Sequence, residues 1–161
     1  MFVNVKLSWV ASKLTIWSPS RTAARARLAG TADKGARYSR VEKDGVAMGR
    51  TVLVVDDDAS VLEVIAGMLE DFGCDVVRAG SGTEALDQLE RNKRISILIT
   101  DINMPVMDGH ELAERAKRLS PELKVLQLSG RERRRDGYPM IRKPFSAEDL
   151  ANIMQRMSEA G

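Results

Sequence analysis

From Thr51 onward, short apolar runs of strand length alternate with apolar positions at helical spacing. Val52-Leu53-Val54-Val55 stops on Asp56-Asp57-Asp58 and predicts a buried strand. Val61, Ile65, Met68, Leu69 and Phe72 then recur on one helical face, which Asp58 or Ser60 is placed to cap and Gly73 to end. Residues 75–79 predict a second strand, Gly80-Ser81-Gly82 a loop, and residues 83–90 a helix with Ala85, Leu86 and Leu89 inward. Residues 95–100 predict a third strand that runs straight into Asp101, with Pro105 and Asp108-Gly109 as turn signals behind it. A third helix follows, with Leu112, Ala113, Ala116 and Leu119 inward and Ser120-Pro121 as its stop. Residues 124–128 predict a fourth strand ending on Ser129-Gly130, and residues 140–142 a short fifth ending on Lys143-Pro144-Phe145. Ser146 caps a last helix whose Leu150, Ile153, Met154 and Met157 face the core.

Alternation of strand and helix through the domain implies an α/β domain with a parallel sheet covered on both faces. Right-handed crossovers leave few topologies, of which a doubly wound five-stranded sheet is the expected one.

The first 50 residues have a different texture. An apolar start, from Phe2 to Trp17, is interrupted by Lys6 and Lys13 and is too short to span a bilayer. A segment rich in Arg, Ala, Ser and Gly follows with no helical or strand period, and residues 1–47 read as a disordered basic extension. Its acid-poor composition is that of a signal or transit peptide, but no clean apolar core runs into a small-residue cleavage site. Met48-Gly49-Arg50 leads directly into the first strand, so Met48 reads as the true start, residues 48–158 as the domain and residues 159–161 as a tail. Charge divides at the same place: residues 1–50 carry a formal +7 and residues 51–161 a formal −5. The basic pI therefore describes neither part and is no sign of nucleic-acid binding. With Cys74 as its one cysteine, the chain forms no internal disulfide, which suits a reducing compartment such as the cytoplasm.

The chemistry lies at the strand ends. Strand one stops on Asp56 and Asp57, strand three on Asp101, strand four on Ser129 and strand five on Lys143. Parallel strands place these C-terminal ends on one edge, where open α/β sheets bind their ligands. Three carboxylates brought together cannot all stay ionised without a cation. Hard oxygen ligands suit Mg²⁺, which commonly bridges to phosphate. Lys143 and Ser129 supply an ammonium and a hydroxyl for phosphoryl oxygens. The set predicts phosphoryl transfer to a carboxylate, Asp101. Taken singly, Asp56-Asp57-Asp58 also suits a helix cap, Ser129 a turn, and Lys143 a solvated loop. His110 reads as a surface residue and Cys74 as a partly buried turn residue.

The acidic pair Asp56-Asp57, the stretch Asp101-Ile102-Asn103-Met104-Pro105-Val106-Met107-Asp108-Gly109, the Ser129-Gly130 pair and Lys143-Pro144-Phe145 occur in that order. On these motifs residues 51–158 resemble the receiver domain of two-component response regulators, in its single-domain, chemotaxis-regulator-like form. The resemblance implies a flavodoxin-like strand order 2-1-3-4-5. It also implies a phosphoryl group accepted by Asp101 from a histidine kinase or phosphotransfer protein. Mg²⁺ would then be held by Asp56, Asp57, Asp101 and the Asn103 carbonyl, with Ser129 and Lys143 reaching the aspartyl phosphate.

The chain departs from that family twice. Three residues before Lys143, receivers usually carry an aromatic switch; here it is Met140, with Tyr138 displaced by two. Between Ser129 and Met140 only residues 130–139 remain, fewer than a helical crossover normally needs, so the helix there is shortened or missing. The face on which receivers commonly dimerise to drive DNA binding should then be lacking, and a monomer is expected. Arg131, Arg133, Arg134 and Arg135 put a basic cluster in that stretch instead, either solvated or facing an acidic partner.

The reading is a stand-alone receiver, not an enzyme, with output by protein contact or phosphorelay to an unknown downstream protein, without nucleic acid or membrane. The alternatives are a receiver-like interaction module that is not phosphorylated, or a small Mg-dependent phosphatase using Asp56.

Overall fold

A computed structural model describes residues 49–130 and 137–159. Five strands, β1 (Thr51–Val55), β2 (Asp75–Ala79), β3 (Ile95–Asp101), β4 (Lys124–Ser129) and β5 (Met140–Arg142), form one sheet in the order β2-β1-β3-β4-β5. Every neighbouring pair is parallel. Four helices are present among the described residues: α1 (Ala59–Asp71), α2 (Gly82–Arg91), α3 (Gly109–Leu119) and α4 (Ala147–Glu159). The expected doubly wound, flavodoxin-like order is therefore the observed one.

Successive strand residues face opposite sides of the sheet. Leu53, Val55, Leu98 and Val125 join Ala85 and Leu89 of α2 and Leu112, Ala113 and Ala116 of α3 in one apolar layer. The alternate residues, among them Val52, Val54, Ile97, Ile99, Leu126 and Leu128, are buried on the other face. There α1 contributes Ile65 and Leu69, and α4 contributes Leu150 and Met154. Burial on both faces explains why these strands lack a polar period.

Each helix begins where a side chain satisfies its free backbone N–H groups. Asp58 accepts from the Ser60 and Val61 N–H groups, Ser81 from Glu84 and Asp108 from Glu111. Ser146 and Asp149 cap each other, the Asp149 N–H donating to Ser146 Oγ and the Ser146 N–H to Asp149. Gly73, at φ +80, follows α1 in the left-handed conformation that glycine adopts without a Cβ penalty.

Two expectations need correction. Leu119, the last residue of α3, is 41% exposed rather than inward. Cys74 is buried outright, and burial followed by the Asp75 carboxylate raises its thiol above the ordinary value. The expected disorder of residues 1–47, the shortened crossover helix and the cluster Arg131, Arg133, Arg134 and Arg135 lie wholly or mainly outside the described residues. At the near end of that crossover Tyr138 is described, and its ring packs on the layer between α3 and the sheet.

Candidate functional site

The parallel register brings the C-terminal ends of β1, β3, β4 and β5 to one edge. Asp56, immediately after β1, is fully buried, and Asp101, the last residue of β3, is 2% exposed. Lys143, one residue beyond β5, donates from Nζ to Asp56 Oδ2 at 3.0 Å and to Asp101 Oδ1 at 2.9 Å. Its side chain is 9% exposed, and the ammonium is directed onto two carboxylates that are themselves buried. Lys143 is held there by its own backbone, whose N–H donates to the Ser129 carbonyl at 2.7 Å. Phe145, two residues on, is buried and anchors the loop.

Asp56 accepts a second hydrogen bond on Oδ1 from the Asp58 N–H, 2.9 Å away. Its neighbour Asp57 is exposed at the rim. Even so, carboxylate oxygens of Asp56, Asp57 and Asp101 all lie within 4.8 Å of one another. Lys143 balances one of these three charges when all are ionised. A hard divalent cation fits the remainder by charge and by donor type. Asn103 stands two residues after Asp101, exposed in the turn that follows β3.

Ser129 closes β4 and is buried at the same edge. Met140 is half-buried and pairs in register with Gln127 on β4. Asp56, Asp57, Asp101, Ser129 and Lys143 thus share one sheet edge. Met140 stands at the opposite end of β5 from Lys143.

The loop after Asp101 is built by close approach. The Ile102 N–H donates to the Leu128 carbonyl at 3.0 Å, and the Gly109 N–H returns to the Ile102 carbonyl at 2.9 Å. A Cβ on Gly109 would lie 2.3 Å from the Asp101 carbonyl oxygen, so only glycine admits α3 this close to the site. Met104 and Met107 are buried in the layer below, and a Cβ on Gly82 would meet the Met107 sulfur at 2.6 Å.

Sequence reasoning missed one pair near this edge. His110 is half-buried, not a surface residue, because its Nδ1 lies 3.2 Å from Nε2 of the fully buried Gln127. The two are 17 positions apart and meet only because α3 packs on β4. No local signal announces the contact; a glutamine inside an otherwise apolar strand was the one available hint.

Comparison with known proteins gives a consistent likeness. The model of the family described as the response regulator receiver domain matches residues 52–155. The response regulator receiver protein CpdR of Brucella abortus is 32% identical over 117 residues, covering 67% of this chain and 96% of that protein. The nitrogen assimilation regulatory protein NtrX of Azorhizobium caulinodans is 32% identical over 122 residues, 70% of this chain but 27% of that protein. The chain thus spans nearly all of one relative and about a quarter of the other. Among solved structures, the chemotaxis protein CheY4 of Vibrio cholerae superposes with a TM-score of 0.63 at 28% identity, covering 68% of this chain and 98% of that one.

Proposed function

The chain belongs to the response regulator receiver domain family of two-component signalling, and from that premise we propose that Asp101 accepts a phosphoryl group from a histidine kinase or phosphotransfer protein. The observation that carries the proposal is the position of Lys143, hydrogen-bonded to Asp101 and Asp56 at once beside a third carboxylate.

In the reaction an Asp101 carboxylate oxygen attacks phosphorus while the nitrogen–phosphorus bond of the donor histidine breaks. The electron pair returns to the imidazole, and the new oxygen–phosphorus bond makes an acyl phosphate. Lys143, already on Asp101, offers its ammonium to the phosphoryl oxygens, and the Ser129 hydroxyl donates to them from the end of β4. Asp56, Asp57, Asp101 and the Asn103 carbonyl would hold Mg²⁺, which would supply charge neutralisation for both the carboxylates and the phosphoryl group. Asp56 is fully buried and bonded to Lys143 and the Asp58 N–H, which favours a supporting role for it over that of a phosphatase nucleophile.

The output we propose is contact with a downstream protein or onward relay of the phosphate, in the cytoplasm, by a monomeric stand-alone receiver without catalysis of its own. The mass of the native protein tests the stand-alone form. Among the described residues no helix is long and apolar enough to cross a membrane.

Incubation with phosphoramidate and Mg²⁺ tests the chemistry. An acid-stable, base-labile adduct should form on the wild type and not on Asp101→Asn. A wild type that stays unmodified under conditions that label another receiver leaves the non-phosphorylated interaction module as the surviving reading.

A further inference from the structure

At the end of the sheet opposite Asp101 lies a depression of about 330 Å³ that the chemistry proposed for Asp101 does not use. The turn between α3 and β4, the residues entering β5 and the last turn of α4 bound it. β4 is six residues long, so this end stands about 20 Å from Ser129 and the acidic edge. The floor is apolar. Leu123, Val125 and Met157 are buried there, and the half-buried Tyr138 ring, packed on the layer between α3 and the sheet, forms a wall.

Two ammonium groups border this floor, and main-chain carbonyls fix both. Lys117 Nζ donates to the carbonyls of Pro121 and Leu123, the latter at 3.1 Å. Lys124 Nζ donates to the Met157 carbonyl. An ammonium has three N–H donors, so one remains on Lys117 and two on Lys124. Among the described residues neither lysine has a carboxylate within ion-pair distance. Glu122 is the acid of this lining, and it is exposed. Two ammoniums against one carboxylate leave a net +1, which suits one further carboxylate.

Bonds from lysines to the carbonyls at helix ends are ordinary capping. Here they also hold two charges in place beside apolar surface, so a ligand that meets them loses little further side-chain freedom. Apolar walls with a few fixed polar groups are the usual make-up of a small-molecule site.

We propose that this depression binds a single carboxylate carried on a compact apolar body. Lys117 and Lys124 receive the carboxylate, and the floor and the Tyr138 ring receive the body. The volume is at the low end for ligand pockets and suits roughly 10–15 non-hydrogen atoms. A free aromatic or branched acid has this chemistry, and so has the C-terminal residue of a protein chain. The site does not depend on the function proposed for Asp101 and gives the protein a second input.

Two-dimensional amide NMR spectra of the full chain, titrated with 3-phenylpropionate at constant pH and ionic strength, test the proposal. Saturable shifts centred on residues 121–125 and 157 are expected, with a Kd of about 0.1–1 mM for a ligand of this size. The uncharged 3-phenylpropionamide keeps the apolar body and should bind at least about fivefold more weakly. Lys117→Met and Lys124→Met should each weaken binding of the acid about three- to tenfold. Should either variant fail to fold, the comparison of acid with amide on the wild type decides.

An N-acetylated tripeptide ending in phenylalanine separates the two sources of the ligand. Tighter binding than the free acid assigns the site to a protein C-terminus, and equal or weaker binding assigns it to a free acid. Equal affinity for acid and amide overturns the proposal, as do shifts centred away from the depression. Unchanged affinity in both lysine variants overturns it too, and so does the lack of any saturable shift with acid and tripeptide alike.

Discussion

Replacing Lys143 by Met in the absence of divalent cations should destabilise the fold far more than loss of an ordinary surface lysine. Lys143 Nζ is 3.0 Å from Asp56 and 2.9 Å from Asp101, both essentially inaccessible to water. At these separations and an effective dielectric of ~20, each contact is worth roughly 5–6 kcal/mol of Coulomb energy before desolvation is subtracted. Desolvation cancels much of that, and removing one partner of a buried pair costs about 3–5 kcal/mol because the other charge is stranded. Asp56 keeps its hydrogen bond from the Asp58 N–H, so the lower end, about 3 kcal/mol, is expected, a fall of roughly 10–20 °C in melting temperature.

The source of the cost can be isolated with a double-mutant cycle in urea, in EDTA. In the Asp101→Asn background one stranded carboxylate is already gone, so Lys143→Met should cost only about 1 kcal/mol, a coupling of ~2 kcal/mol. Magnesium at 100 times its dissociation constant stabilises a binding-competent fold by about 2.7 kcal/mol. It should raise Lys143→Met more than the wild type, whose site is less negative. A cost below 1 kcal/mol that is the same in both backgrounds, with no differential response to magnesium, would refute the geometry described for this lysine.

Gly109→Ala should destabilise by about 3 kcal/mol, since the new Cβ meets backbone at 2.3 Å, whereas Gly82→Ala should cost less, about 1–2 kcal/mol, because the Met107 sulfur at 2.6 Å can shift although its Cβ at 3.0 Å stays close. Paired urea titrations check this, and equal costs would mean that the loop after Asp101 is freer to move than its hydrogen bonds imply. Asp58→Ala removes the cap of α1 and should cost about 1 kcal/mol, leaving the rate of labelling by phosphoramidate within about twofold of wild type. A labelling loss of tenfold or more would show that Asp58 belongs to the reactive site, contrary to its assignment as a cap.

Much of this protein is legible in its sequence. A strand buried on both faces has to be a continuous apolar run, and such a run has to end on turn residues or a polar group; both are local properties of the chain. That is why Asp56, Asp101, Ser129 and Lys143 could be placed at strand ends, and why Asp58, Ser81 and Ser146 fall where helices begin. The family motifs added Asn103 and the strand order, which local patterns leave open.

Other features depend on which elements become neighbours. The acids Asp56 and Asp57 are adjacent and identical in type, yet one is fully buried on Lys143 and the other lies exposed at the rim. Only the direction of the chain leaving β1 distinguishes them. His110 reads as a surface residue until β4 brings Gln127 beneath it, and Leu119 fits the apolar stripe of α3 yet is 41% exposed at the end of that helix. Tyr138 reads in sequence as an aromatic displaced by two from the switch position, and in space it is a ring packed on the apolar layer. Sequence alone thus determined the elements and the chemical groups at their ends, because hydrophobic period, caps and turns act within a few residues. The pairing of charges, the depth of each side chain and the tight approach of Gly109 to Asp101 were decided by tertiary structure, because they depend on distances between residues that only the packed sheet and its helices bring together.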